Sequence, residues 1–502
     1  MLTYKKLTEI NGFDTNNPKN AVQNSYAWSM AEFGNYIYVG TSRNMFSSMS
    51  GSFGNSAPPP SLITGYDNTA EIWRYKKNGT KPWQKVFKTN PSDKSYGFRI
   101  MTTHKTNHCN AIYAATMGEK VHVFKSTDGI NWMKLYTSNL IGSSSRAMVS
   151  FNGRLYIATL EEGIGGTSPH LYSSVDPEYE PFQETINTNI HHFIPNKNPS
   201  GSIDDMQVFN DKLYLCISTE NGCEIWCSDN KYPETNDWTL VADKGFGDYA
   251  NKNVMSTGVF KNHLYIAVTK LIPISLYAPL GFDLIRIDKN NKWEVVVGGK
   301  PLIPSSPVTG RRTKSISGFN SGFNNFFNVY GWQIKEFNDN LVITTFNNST
   351  NIHIFYDNIV YNKESYIKNN GLDSYSKVTE SYSKILFLLK KYKYPKGFDI
   401  YTSKDGCTFH PSILNGLNDK YNYGGRTLIV SNENKMYLGT ANPYNGCEVW
   451  EADYINSNNN CSCNRVNSYY NNLGMLNHEL LKIYPVLFSG LQNMFDSQNI
   501  LN

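Results

Sequence analysis

Internal repetition restricts this chain more than any other feature. Asn221-Gly222-Cys223-Glu224-Ile225-Trp226 returns as Asn445-Gly446-Cys447-Glu448-Val449-Trp450. Each copy follows a strand-like run ending in Thr, Leu213 to Thr219 in one case and Met436 to Thr440 in the other. Asn-Gly also joins two alternating runs at Phe151-Asn152-Gly153-Arg154, the pattern of a tight β-hairpin. Recurrence of such a unit means stacked copies of one supersecondary element rather than one irregular core.

Aligned on the first strand of the unit, the chain holds seven copies. Their lead positions are Trp28, Arg99, Arg146, Asp204, Met255, Trp332 and Arg426. Third strands begin at Glu71, His122, His170, Glu224, Asp283, Asp399 and Glu448, and an aromatic opens six fourth strands: Trp83, Trp132, Phe182, Trp238, Trp293 and Phe409. The last copy has no fourth strand after Trp450. Tyr4 to Thr8 followed by Asn11-Gly12-Phe13-Asp14 is similar to Trp238 to Val241 followed by Gly245-Phe246-Gly247-Asp248, so the N-terminus supplies it. The expected fold is all-β: a seven-bladed β-propeller over 1–453, closed by an N-terminal strand. It carries a helical insertion in the sixth blade, and 454–502 form a linker and an amphipathic helical tail. Closure leaves no sheet edge open to pairing.

Long insertions fall between second and third strands, at 42–69, 270–281 and 346–396, and between blades five and six at 301–328. These connections all leave a propeller on one face. Within 346–396, Tyr375, Val378, Tyr382, Ile385, Leu386 and Leu389 recur at helical spacing behind Asp373 as a cap, and the expected helix is a lid over the channel mouth. In the tail, Leu476, Leu480, Ile483, Leu487 and Leu491 form an apolar stripe broken by Pro485. With few basic residues beside it, the stripe is expected to dock on the propeller or on a second copy rather than on a membrane. Ser126-Thr127-Asp128-Gly129-Ile130-Asn131-Trp132 and Ser403-Lys404-Asp405-Gly406-Cys407-Thr408-Phe409 are Asp-box-like turns, read as structural.

Composition enters as exclusion. The 502 residues are 40% hydrophobic and 18% charged, which is globular, and a net charge of +5 is too small to argue for nucleic acid. No apolar run reaches about 18 residues, and Met1 to Lys6 lacks the apolar core of a secretory signal. The eight cysteines contain no Cys-x-x-Cys; Cys461 and Cys463, the one close pair, are read as inert thiols rather than metal ligands. A reduced, cytoplasmic protein with no cofactor is expected.

The lead positions ring the channel, and their chemistry is mixed. Arg99, Arg146 and Arg426 give three guanidinium groups, Asp204 a carboxylate, and Trp28 and Trp332 aromatic walls. Tyr96-Gly97-Phe98-Arg99 recurs as Tyr423-Gly424-Gly425-Arg426, and Tyr26 and Tyr330 precede the two tryptophans by two residues. Arginines converging in a partly dry mouth suit a carboxylate, phosphate or halide. The alternative is that they pair with Asp204 or with carbonyls at the channel lip. The polar heads of the third strands suit inter-blade hydrogen bonds; His122 and His170 depart from the acidic rule and could join Glu71 or Glu224 around a metal, though none is assigned. Arg43 and Arg311-Arg312 could add charge at the mouth.

Two resemblances bear on function. Phe98-Arg99-Ile100 and the Asp-box turns resemble sialidases, which set three arginines on a carboxylate; here no Pro follows Ile100 and no Tyr–Glu nucleophile pair is assigned. Over most of the chain, the blade signature, Asn415-Gly416-Leu417 to Arg426-Thr427-Leu428 and Gly439-Thr440-Ala441-Asn442-Pro443 to Trp450 resemble the propeller part of the cyanobacterial cylindrocyclophane-type alkylating enzymes. That resemblance implies halide displacement from an alkyl halide by a phenol or carboxylate, with an Arg and a Tyr at the mouth. Position gives those roles to Arg43 and Tyr330, with a Tyr or Asp204 as proton acceptor. Arg99, Arg146, Arg426, Trp28, Trp332, Tyr96 and Tyr423 would bind a substrate with an anionic or halide group and an aromatic or alkyl body. The calcium-binding domain of that family is not matched, since no Gly/Asp nonapeptide repeats occur. The rival reading is a non-catalytic propeller that binds an anionic glycan, small molecule or protein, because folds of this kind host both.

Overall fold

Asn152 and Gly153 both take positive φ, 46° and 76°, which only a tight hairpin of the mirror-image type asks for. Such turns fold each repeat into an antiparallel four-stranded meander. The computed structural model describes residues 2–45, 67–77, 79, 82–161, 169–187, 201–234, 237–454 and 463–496. Among these, the first meander comprises Asn24–Phe33, Tyr36–Arg43, Glu71–Lys76 and Gln84–Lys88. The inner strands of the other six are Ser95–Lys105, Ser144–Phe151, Ser202–Phe209, Asn251–Phe260, Asn328–Phe337 and Gly424–Val430. Each inner strand lies beside the next, and Gly424–Val430 lies beside Asn24–Phe33, so the inner strands form a ring. In the last meander Val449–Tyr454 pairs with Leu2–Lys6, Tyr4 opposite Ala452, which makes the N-terminal strand the outermost one.

Blades are cemented by tyrosines. Tyr38, Tyr113, Tyr156, Tyr214, Tyr265 and Tyr437, all on second strands, are fully or almost fully buried. Two of them close the Asp-box turns of the next blade. A Cβ on Gly129 (φ +71°) would fall 1.8 Å from the Tyr38 hydroxyl, and Tyr265 donates to the Gly406 carbonyl at 3.2 Å. Asp128 accepts from the N–H groups of Ile130 and Asn131, both at 2.8 Å, and these bonds hold its carboxyl well below the usual range. Asp405 accepts likewise from Cys407 and Thr408. Both boxes act as turn builders.

Four of the acidic third-strand heads staple their own blade rather than join two blades as expected. Asn24, Asn251, Asn328 and Asn422, at or just before the start of inner strands, donate to Glu71, Asp283, Asp399 and Glu448 at 3.3, 3.2, 2.8 and 2.6 Å. The same amides reach back to the carbonyls of Gly12, Gly245, Gly322 and Gly416. His170 instead meets Glu184 at 2.8 Å. Among the described residues no three His, Cys, Asp or Glu side chains gather as a metal site around it or around His122. Cys461 lies outside the described residues, as does the Cys463 side chain.

The sixth-blade insertion holds three helices, Ile352–Tyr361, Lys363–Asn370 and Leu372–Lys391. Gly371, not Asp373, occupies the cap of the last; Asp373 sits inside its first turn and pairs with Lys377 at 2.7 Å. Pro485 does not break the tail, which runs as one helix over Cys463–Asp496. Its stripe of Leu476, Leu480, Leu487 and Leu491 is buried against Val378, Tyr382, Ile385 and Leu389 of the insertion. This layer rests on blades five and six. Tyr382 donates to the Tyr277 carbonyl, Tyr484 to that of Pro279 and Asn477 to that of Asn324. Among the described residues no helix is long and apolar enough to cross a membrane.

Candidate functional site

Every inner strand carries an irregularity at the same place. Ala27 pairs with Thr41 and Ser29 with Gly40, which leaves Trp28 as the extra residue of a β-bulge. Arg99, Asp204, Met255, Trp332 and Arg426 are extra in the same way, and in blade three Ser145 and Arg146 together oppose Thr159. A bulge frees one side chain from the alternation of its strand and re-aims it. Seven bulges at one level place seven side chains around one axis, and all seven line a single cavity of about 570 Å³.

The two tryptophans and two of the arginines form matching stacks. Trp28 lies against Gly97, where a Cβ would fall 2.5 Å from the indole, and the Arg99 guanidinium sits over the same ring at 5.2 Å. Trp332 lies against Gly424, where a Cβ would fall 2.0 Å from the indole, and Arg426 sits over it at 5.2 Å. The repeated Tyr-Gly-x-Arg motif is therefore one device used twice: glycine admits the indole, and the indole carries the cation.

Three guanidinium groups crowd this ring. Arg146 approaches Asp204 at 3.7 Å. Asp204 is buried and already accepts from Ser202 Oγ at 2.7 Å, Val254 N at 3.1 Å and Asn253 Nδ2 at 3.3 Å. Arg99 donates to Ser144 Oγ at 3.1 Å. Burial, and then the charges of Arg146 and Arg426, pull Arg99 well below the usual guanidinium value. Burial and Arg146 bring Arg426 down to about 9, and its buried Nε has no hydrogen-bond partner among the described residues. Asp204 acts on Arg99 and Arg146, and its neighbour Asp205 acts on Arg426.

The cavity runs from the ring along the residues that follow it on each strand, as far as Glu32, Thr103, Gln207, Glu336 and Val430. That direction leads to the hairpins between first and second strands, away from the face bearing the insertions. The expectation of a site at the insertion-side mouth is thus corrected for this cavity. On that side Tyr26, Trp28, Trp332, Phe346 and Tyr423 pack into one cluster, with the hydroxyls of Tyr26 and Tyr423 in contact. Leu276 joins this cluster to the helical layer.

Of the expected site residues, Arg99, Arg146, Arg426, Asp204, Trp28 and Trp332 meet at the ring. Tyr423 belongs to the aromatic cluster, and Tyr96 stands on the insertion side of Arg99 on its strand. Tyr330 packs edge-on to Trp332 at 5.6 Å; burial raises its hydroxyl while Arg146 and Arg99 pull it the other way. Arg43 is elsewhere. It is fully buried in blade one, bonded to Asn24 Oδ1 (2.8 Å), Asn20 Oδ1 (2.7 Å) and the carbonyls of Asn20 and Asp67, and Glu71 lies 3.7 Å away. Arg312 is likewise taken, by Asp283 at 2.7 Å. Sequence reasoning missed Asp205. Its half-buried carboxylate faces the cavity, accepts from Thr257 Oγ1 at 2.8 Å, and is lifted by burial to about 6. It also missed the collar of Met30, Met101, Met148 and Met206, two residues past the ring in four consecutive blades; that spacing is visible in the sequence.

No family model matches the sequence, and no curated protein does. Solved structures match in shape. A prolyl endopeptidase structure covers 82% of this chain at 9% identity and a TM-score of 0.37, and the chain spans 46% of that protein's length. The WD40 β-propeller domain of Doa1 covers 90% of this chain and 98% of its own at 8% identity and a TM-score of 0.43. The Aleuria aurantia lectin, crystallised with Fucα1-6GlcNAc, covers 78% of this chain and 96% of its own at 8% identity and a TM-score of 0.36. At such identities and TM-scores these likenesses say nothing of what this chain does.

Proposed function

We propose that this propeller binds a small anionic molecule in its channel, the anion lying on Arg99, Arg146 and Arg426 and the body along the methionine collar. The observation that carries this is the convergence of three mutually repelling guanidinium groups on one ring, with the buried Arg426 Nε unbonded among the described residues. Buried cations are stable when paired, and three guanidinium groups that repel one another lower their joint energy by taking an anion. The collar supports an apolar body, since thioethers adapt to irregular alkyl or aromatic shapes. The cavity volume is that of a small-molecule site rather than of a protein or glycan surface.

Calorimetric titration with hexanoate in chloride-free buffer tests this. Arg99→Ala and Arg426→Ala should each weaken binding at least tenfold while Tm moves by no more than about 3 °C, because across the blades each guanidinium contributes a stack on one indole and, for Arg99, the hydrogen bond to Ser144. Unchanged affinity in both variants, or no binding to the native protein, would contradict it.

A second reading, alkylation by halide displacement, has one specific support: Tyr330 stands close enough to Arg99 and Arg146 for their charges to act on its hydroxyl. A guanidinium would then stabilise the departing halide and the tyrosine would orient the phenol, whose oxygen bonds to the carbon as the carbon–halogen bond breaks and whose proton passes to solvent. Bromide release from 1-bromohexane in the presence of phenol should occur with the native protein and vanish in Tyr330→Phe. Release that is unaffected by that substitution, or absent altogether, removes this reading without touching the first.

A further inference from the structure

Beyond the ring the cavity holds a second pair of charged groups that an anion alone leaves unused. Asp205 follows the bulged Asp204, is anchored by Thr257 Oγ1 at 2.8 Å and Met206 N at 2.9 Å, and keeps its carboxylate on the cavity. Lys335 lines the same cavity three residues past Trp332, about 10 Å farther along that strand. No hydrogen bond or ion pair to its ammonium is formed among the described residues, although the charge of Asp205 acts on it. Burial accordingly draws the ammonium below its usual value.

A donor and an acceptor held apart in one channel select a group that accepts from the first and donates to the second. A hydroxyl does both. A second carboxylate would satisfy Lys335 but meet the charge of Asp205, and a methyl group would satisfy neither. We propose that the ligand is a hydroxy acid, with its anion on the guanidinium ring and its hydroxyl bridging Lys335 and Asp205. This rests on the anion-site reading above and adds the second recognition point, and with it the substrate class.

The experiment compares hexanoate, 6-hydroxyhexanoate and hexanedioate by calorimetry at pH 7.5 in chloride-free buffer, with the full chain. The hydroxy acid should bind at least tenfold tighter than hexanoate, since a site built to hydrogen-bond a hydroxyl discriminates strongly against its absence. Hexanedioate should gain less. Lys335→Met and Asp205→Ala should each remove most of the advantage of the hydroxy acid. The proposal is overturned if the hydroxy acid binds no tighter than hexanoate, if hexanedioate binds tightest, or if the advantage survives both substitutions. The native comparison decides the matter even where a variant fails to fold. Binding of none of the three acids overturns the anion site itself, and this inference with it.

Discussion

Asp399 shows how much one side chain depends on what answers its charge. The corresponding acids of blades one, five and seven meet cations: Glu71 meets Lys85 at 3.2 Å, Asp283 meets Lys270 at 3.0 Å, and Glu448 meets Lys6 at 2.6 Å. Asp399 meets none. It accepts from Asn328, Asn325 and Tyr401 and sits among Tyr394, Tyr469 and Tyr470. Burial lifts it to about 7. Between about pH 4, the ordinary carboxyl value, and pH 7 the folded chain therefore holds a proton that the unfolded chain has released. Unfolding free energy must fall as pH rises through that window. Asp399→Asn should flatten this slope and unfold at higher denaturant than the native chain at pH 8; an unchanged slope would mean another group carries it. The acid at this position was legible in the sequence. Its isolation was not, because whether a cation reaches the acid depends on which neighbouring strand supplies it in the folded blade: Lys85 and Lys270 come from neighbouring strands of the same blade, Lys6 from the other end of the chain. For the same reason the spacing could not show that Asp204 is consumed by three donors while its neighbour Asp205 faces the cavity.

Among elements, the bulged inner strand explains why aligning repeats found the ring so well. All seven copies carry the bulge at one register, so a lead position read from alternation alone lands on the re-aimed side chain in each. The staple of Asn on acid was equally available, as Gly followed six residues later by Asn at Gly245 and Asn251, Gly322 and Asn328, and Gly416 and Asn422, but polar residues at strand starts read as turns. Gly97 and Gly424 are the tightest element-level constraint. Gly97→Ala and Gly424→Ala should each cost about 1–3 kcal/mol by overpacking against an indole. Each should also weaken anion binding by displacing the tryptophan beneath its arginine. A loss of stability with binding intact would separate the stack from the site. Asp373 and Pro485 show the opposite lesson. Local signals marked a cap and a break, yet packing of the two long helices against each other continued both.

At the scale of the molecule, the ring is closed by pairing residues more than 440 positions apart, as Thr3 with Asp453. Deleting residues 1–7 would expose the edge of Val449–Tyr454 and leave Trp83 without the Leu7 carbonyl it reaches at 3.2 Å. The shortened chain should self-associate on a sizing column and lose cooperative unfolding; a monomer with native Tm would show the closure to be dispensable. The sevenfold count and the closing strand were legible because each blade repeats the same hairpin chemistry. The side of the ring on which the cavity lies was not, since it depends on how Tyr26, Phe346 and Tyr423 fill the other end.

The claim that supports the rest is that guanidinium groups converge at the ring and want an anion. Crystals soaked in bromide, with anomalous peaks located, test it most directly. A peak within hydrogen-bond distance of Arg99, Arg146 or Arg426, over the tryptophan stacks, is the predicted result. Bromide confined to the outer surface, with the ring arginines turned toward protein carbonyls, would contradict it.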